Sequence, residues 1–270
     1  MPFNKTFINL TEAYLFFSII FSQNSSVQEV NNTKEIENVV FTITDTSNPI
    51  PATRNISLAY ALGELVWYWS GSNSKAFISK FGDLWNKISD DGITSNSSYG
   101  YILTEKHGFN QIEEIIKMLE NNQLERRAVL NINIPNPSVI STKDEPCTIA
   151  LQILIRDNKV NMTGMMRSND IWFGTPYDII YFTSIQKYIA HRLGLDTGTY
   201  THFATSFHLY LKDLDKLNKS LTTIPKQKYL IDYISLIENA KKYYKIIDKM
   251  ENPKKEIIEF LKKERIILYV

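Results

Sequence analysis

The stretch Cys147-Thr-Ile-Ala-Leu-Gln-Ile-Leu-Ile-Arg-Asp-Asn-Lys-Val-Asn-Met-Thr-Gly-Met-Met-Arg-Ser-Asn-Asp170 decides the fold. Two runs rich in Ile, Leu, Val and Met, roughly 148 to 156 and 159 to 167, flank Asp157-Asn158. That pair tolerates the left-handed backbone of a two-residue turn, so the reading is a β-hairpin. Cys147 follows Pro146 at the mouth of the hairpin, where a loop-to-strand transition can expose a side chain at a cleft. A lone cysteine is more often a buried thiol than a nucleophile, so its neighbours must decide.

Downstream, Pro176 starts a helix of Ile, Tyr and Phe residues that is apolar on most faces and stops at Gly194, which places it deep in the molecule. A strand at 199 to 210 follows, and after Pro225 come two helices with Lys-rich outer faces and a hydrophobic tail, Ile266 to Val270. Upstream, Leu58, Leu62, Leu65, Val66 and Trp69 recur at helical spacing between Ser57 and Ser70, with the acid Glu64 inside that apolar pattern. Residues 109 to 124 form an amphipathic helix, and Arg126-Arg127 then opens an extended run from Ala128 to Ile134. Val39 to Thr44 reads as a strand, and Ala13 to Phe21 as a core helix capped by Thr11.

The 270 residues are 43% hydrophobic and 22% charged, which supports one enzyme-sized domain over 1–270. With 30 basic and 29 acidic residues the net charge is +1, so no global field draws the chain to DNA or a membrane, and any anion site is local. Cys147 is the only cysteine, which excludes an intramolecular disulfide framework and a multi-cysteine zinc site and suits a reducing cytoplasm; no metal is expected. The apolar stretch Ala13 to Phe21 is too short to span a bilayer.

Arg126-Arg127 and Arg167-Ser-Asn-Asp170 are strand-end clusters, and guanidinium forks fit phosphate oxygens while lowering the pKa of a nearby thiol. Each alone reads as solvated charge; together they suggest a nucleotide monophosphate site.

The ordered set Glu64-Leu-Val-Trp-Tyr-Trp-Ser-Gly71, Tyr99-Gly100, Arg126-Arg127-Ala-Val, Pro146-Cys147, Arg167-Ser-Asn-Asp170, Gly174-Thr-Pro-Tyr-Asp178 and His208-Leu-Tyr210 resembles the motifs of thymidylate synthases across residues 30 to 215. The resemblance implies an α/β fold: a large mixed β-sheet flanked by helices, paired sheet to sheet in a homodimer, with 226–270 as a C-terminal helical segment. It implies that Cys147 adds to ring carbon 6 of a pyrimidine nucleotide and makes carbon 5 nucleophilic toward a one-carbon unit from 5,10-methylenetetrahydrofolate. By matching position, Arg167 and Ser168 hold the phosphate, with Arg126 and Arg127 reaching it from the other subunit. His208 and Tyr210 contact the sugar, Asp170 and Asp178 serve the base and sugar, Glu64 is the general acid–base, and Trp85 faces the folate.

The departures carry information too. Thymidylate synthases have asparagine where this chain has Asp178, and its amide suits uracil. A carboxyl group accepts from the exocyclic amine of cytosine and, when protonated, donates to the bare ring nitrogen. Cytidylate hydroxymethylases of this superfamily carry aspartate there and add water to the one-carbon unit, so the resemblance implies a dCMP or CMP 5-hydroxymethylase. A thymidylate synthase acting on dUMP and a non-catalytic nucleotide- or RNA-binding homologue are the alternatives. Thr148 replaces the histidine usually following the cysteine, and Ile88 a second tryptophan. The amino-terminal phosphate loop is not recognisable; Lys34 is its substitute, and Val270 the candidate lid residue.

Overall fold

The structure, a computed structural model, describes residues 4–23, 27–133, 141–222 and 229–269. Chain order begins β1 (Asn4–Phe7), α1 (Leu10–Gln23), β2 (Gln28–Val30), β3 (Thr33–Ile43), α2 (Leu58–Trp69), α3 (Lys75–Ser79), α4 (Leu84–Ile88), α5 (Tyr99–Thr104) and α6 (Gln111–Asn121). It continues β4 (Val129–Asn131), β5 (Thr148–Arg156), β6 (Lys159–Asp170), α7 (Thr175–Leu193), β7 (Asp196–Tyr210), α8 (Leu214–Leu221), β8 (Tyr229–Ile231), α9 (Tyr233–Ile247), α10 (Pro253–Lys263) and β9 (Ile267–Tyr269). The contacts divide these elements into two compact units, one of residues 1–56, 123–129 and 147–228, the other of 57–122, 130–146 and 229–270.

The first unit is built on the hairpin read from the sequence. Asp157 and Asn158 have φ of 51° and 57°, a mirror-image two-residue turn, and Arg156 faces Lys159 across it. The sheet runs β1-β3-β7-β6-β5, with β2 beside β3. β1 is parallel to β3 and β6 to β7, while β3–β7 and β5–β6 are antiparallel, so the sheet is mixed. Beyond β5, the Ile153 amide donates to the Ala128 carbonyl at 2.9 Å.

One face of this sheet is closed by helices. Phe17 of α1 packs on Phe41 and Phe207 at 5.4 and 5.1 Å between ring centroids, and Phe182 of α7 on Tyr200 at 6.5 Å. α7 begins with Pro176 in its first turn and ends at Gly194 in the left-handed conformation, φ 65°, as the sequence predicts. The side chains that alternate to the other face, Val40, Thr42, Thr163, Met165, Thr201 and Phe203, stay only partly buried.

The second unit packs α2 against α9 and α10. Ser57 caps α2, accepting from the Tyr60 amide at 3.3 Å, and Asn110 caps α6. Phe77 stacks on Tyr244 at 4.2 Å, and Lys80 pairs with Asp248 at 2.6 Å. The hydrophobic tail becomes β9, antiparallel to β8. Val270 lies outside the described residues, as do Ile134 and Pro225. Among the described residues no helix is long and apolar enough to cross a membrane.

Two local expectations are corrected. α1 starts at Leu10, with the Asn9 side chain accepting from the Glu12 amide at 3.1 Å. Thr11 instead accepts from the Ala52 amide at 3.0 Å, tying down the proline loop. Arg126 and Arg127 precede the strand, which begins at Val129.

Candidate active site

Parallel pairing of β6 and β7 sets Ser168 opposite Ser206 and Asp170 opposite His208, gathering the C-terminal ends of both strands. The Arg167 amide donates to the Cys147 carbonyl at 2.9 Å, so the cysteine enters the sheet beside the arginine. Ser168 Oγ lies 3.5 Å from His208 Nδ1. Asp170 accepts from the amides of Trp172 at 2.9 Å and Phe173 at 3.2 Å. Burial raises its carboxyl above the usual range, opposed by those amides and by His208. Tyr210 packs edge-on against His208 at 5.3 Å. Burial raises the Tyr210 phenol, with Asp170 and Cys147 adding to the effect. Cys147, Arg167, Ser168, Asp170, His208 and Tyr210 thus come together in the first unit.

Asp178 joins them through Asn169. The Asn169 amide donates to Asp178 Oδ2 at 2.8 Å, and burial pushes the Asp178 carboxyl up to about 7 against that bond. Behind it, the Asn169 carbonyl oxygen meets Thr175 Oγ1 and, at 3.2 Å, His202 Nε2; His202 Nδ1 lies 3.0 Å from the Tyr200 hydroxyl. Burial depresses His202 to about 3, so its imidazole is neutral. Asn169, His202 and Tyr200 had no role in the sequence reading. The available signal was alternation: Tyr200 and His202 share a strand face, and no partner for a buried histidine was visible.

The other phosphate candidates are distributed differently. Arg127 is held by Glu125 at 2.7 Å at an exposed position, and Arg126 is also exposed. Lys34 lies on β3 with Nζ donating to the Phe21 carbonyl at 3.0 Å. Arg54, absent from the sequence reading, is 6% exposed and stacks over the Trp172 ring at 4.1 Å, with Nε and Nη1 unpaired among the described residues.

Glu64 and Trp85 belong to the second unit. Glu64 is 7% exposed on the apolar helix α2, and Tyr60 donates to its Oε1 at 2.8 Å. Trp85 Nε1 donates to the Tyr60 hydroxyl at 3.0 Å, making a Trp85–Tyr60–Glu64 chain. Trp85 itself is 6% exposed and packs edge-on with Trp67 at 5.0 Å, so it offers little open indole face for stacking. The loop leading to Cys147 is tied by buried Asp144, which accepts from Ser95 Oγ at 2.8 Å, the Asn96 amide at 2.7 Å, the Ser97 amide at 3.2 Å and Ser97 Oγ. Asn133 donates to the Pro146 carbonyl at 3.0 Å.

Against known families, residues 23–262 match the model for thymidylate synthase. A deoxyuridylate hydroxymethyltransferase of Pseudomonas phage M6 is 30% identical over 169 residues, 62% of this chain and 48% of that protein. One from Bacillus phage SP01 is 25% identical over 247 residues, 84% and 64% of the two chains. A thymidylate synthase of Clostridium beijerinckii is 30% identical over 176 residues, 64% and 65%. These matches span about half to two thirds of the relatives' lengths. Among solved structures, thermostable thymidylate synthase A from Bacillus subtilis superposes with a TM-score of 0.67 at 20% identity, covering 83% of this chain and 89% of that one, which supports the mixed-sheet fold.

Proposed function

Because the chain belongs to the thymidylate synthase family, we propose that it is a one-carbon transferase acting on a pyrimidine nucleotide, and specifically a cytidylate 5-hydroxymethylase. The carrying observation is Asp178: a carboxyl group at the position where thymidylate synthases carry asparagine, with one oxygen held by Asn169 and a pKa of about 7. A carboxyl raised that far can hold a proton near neutrality, accepting from the cytosine amine through one oxygen and donating to the ring nitrogen through the other. Uracil presents the opposite pattern and leaves site groups unpaired, a penalty that can reach roughly 10⁴-fold in rate.

The Cys147 thiolate forms a bond to ring carbon 6, and electron density moves to carbon 5, which attacks the one-carbon unit. Loss of the carbon 5 proton and cleavage of the bond from the new carbon to the folate nitrogen, which leaves with the electron pair as tetrahydrofolate, give an exocyclic methylene. Water adds there and releases a proton, and the thiolate departs from carbon 6 to give the 5-hydroxymethyl cytidylate. 5,10-Methylenetetrahydrofolate supplies that carbon and is consumed as a co-substrate. Glu64, buried and held by Tyr60, has the chemistry to hold and return a proton. Trp85, largely covered, contributes through the chain to Glu64 rather than as an open stacking face. Arg167 and Ser168 bind the phosphate, with Arg126 and Arg127 reaching it from the partner of a homodimer. His208 and Tyr210 bind the sugar, and Lys34 completes the phosphate site.

The deoxyuridylate hydroxymethyltransferases and the thymidylate synthase among the relatives favour a second reading, in which the base is uracil. Incubation with methylenetetrahydrofolate and each of dCMP, CMP and dUMP, read by product mass, separates them. Gain of one CH₂O on dCMP or CMP is expected. The same gain on dUMP alone makes the protein a deoxyuridylate hydroxymethyltransferase, and gain of CH₂ on dUMP a thymidylate synthase. Cys147→Ala is expected to abolish turnover and any nucleotide-dependent adduct, whereas Arg167→Ala should mainly raise KM.

A further inference from the structure

Behind Asp178 runs a chain of buried polar groups whose direction is decided at its far end. Tyr200, His202, Asn169 and Thr175 are each at most 2% exposed. The Tyr200 hydroxyl has one hydrogen-bond partner among the described residues, His202 Nδ1 at 3.0 Å. A buried phenol left without an acceptor is penalised, so Tyr200 donates and Nδ1 accepts. The neutral imidazole then carries its proton on Nε2, which donates to the Asn169 carbonyl oxygen at 3.2 Å. That fixes the Asn169 amide toward Asp178 Oδ2 at 2.8 Å. Space for the phenol is provided by Gly164 on the neighbouring strand, where a Cβ would stand 2.5 Å from the hydroxyl. Asp178 Oδ1 has no hydrogen-bond partner among the described residues and is not sealed from solvent, so it is open to a ligand.

We propose that Tyr200, His202 and Asn169 form a one-directional hydrogen-bond relay that commits Oδ2 of Asp178 as an acceptor and so leaves Oδ1 to carry the proton presented to the base. His202 and Tyr200 are positioning residues for base discrimination, acting through Asn169. This rests on the reading that Asp178 meets the pyrimidine edge. If the Tyr200 donor is removed, the imidazole can change tautomer and Asn169 can turn its carbonyl toward Asp178. The carboxyl then keeps its proton to higher pH, but on Oδ2, the wrong oxygen. The ionisable groups around Asp178 are Asp170 and Tyr200, with His202 next along the relay.

The test is kcat/KM for dCMP and dUMP across about pH 6 to 9 in the full chain and in Tyr200→Phe, His202→Leu and His202→Gln. Tyr200→Phe and His202→Leu are each expected to lower the dCMP-to-dUMP ratio about tenfold, the weight of one hydrogen bond, and to move the alkaline fall of dCMP activity upward. His202→Gln, which still offers Asn169 an N–H donor, should recover most of the ratio. An unchanged ratio and pH profile in Tyr200→Phe, which keeps the ring and a cooperative melt, overturns the relay even where His202→Leu fails to fold. In that case Asp178→Asn still moves preference toward dUMP. If Asp178→Asn leaves base preference unmoved, it is the reading of Asp178 that fails, and the relay's role falls with it.

Discussion

At the scale of single residues, the Asp178 carboxyl opposes folding over a pH range set by its own titration. Burial lifts it from 3.8 to about 7, so the folded state holds a proton that the unfolded chain has already released. Stability therefore falls as pH rises from about 4 to about 7 and stays low above it; the full lift corresponds to about 4 kcal/mol before partial solvent access is counted. Asp178→Asn cannot ionise and still offers Asn169 an acceptor. It is expected to resist denaturant better than the parent at about pH 8 and to converge with it near about pH 4. A pH-independent gap between the two would contradict the buried carboxyl. The position and type of Asp178 were legible in the sequence, because the residue departs from a resembling pattern. Its partners were not, since the bond from Asn169 depends on where the turn after Asp170 brings the start of α7.

Elements with long, regular patterns were legible: period-two burial runs through β5 and β6, while α2 and α7 are apolar runs of 12 and 19 residues buried on most faces, long enough for helix starts and stops to be read. The short helices α3, α4 and α5, of five, five and six residues, carry too few turns to show a period. β1 and β2 are defined by their pairing with β3 and by little in their own side chains. α5 shows what decides such an element instead. Its Gly100 lies so close to α2 that a Cβ would stand 1.9 Å from the Tyr68 carbonyl oxygen, and backbone on both sides leaves no side chain to move aside. Gly100→Ala is expected to lower unfolding free energy by about 3 kcal/mol in denaturant titration. A loss below about 1 kcal/mol would mean the two helices can separate freely. Asp144 is a comparable fixture: its carboxylate serves four donors from residues 95–97, so Asp144→Ala leaves buried donors unpaired and should cost about 3 kcal/mol.

For the whole molecule, the unanswered physical question is what covers the second face of the first unit's sheet. Val40, Met165 and Phe203 alternate there with Thr42, Thr163 and Thr201, neither buried by a helix nor charged as a solvated face would be. A second copy of the same sheet suits such a mixed apolar and threonine surface, and two-fold pairing makes one patch its own complement. On the proposed sheet-to-sheet dimer, Arg126 and Arg127 act on the partner's phosphate rather than on their own subunit's. Arg127 is tied to Glu125 within the chain and exposed, which fits a residue whose ligand comes from outside it. The consequence is complementation between two inactive variants. Cys147→Ala lacks the nucleophile and Arg126→Glu/Arg127→Glu the phosphate forks, yet a mixed dimer contains one site with both an intact cysteine and intact donated arginines. Random reassortment makes half the dimers mixed, each with one of two sites complete, so activity should recover to about a quarter of wild type. Mixed subunits, equilibrated in mild denaturant and assayed after its removal, would show that recovery. No recovery from demonstrably mixed dimers would confine Arg126 and Arg127 to their own subunit and make the site complete within one chain.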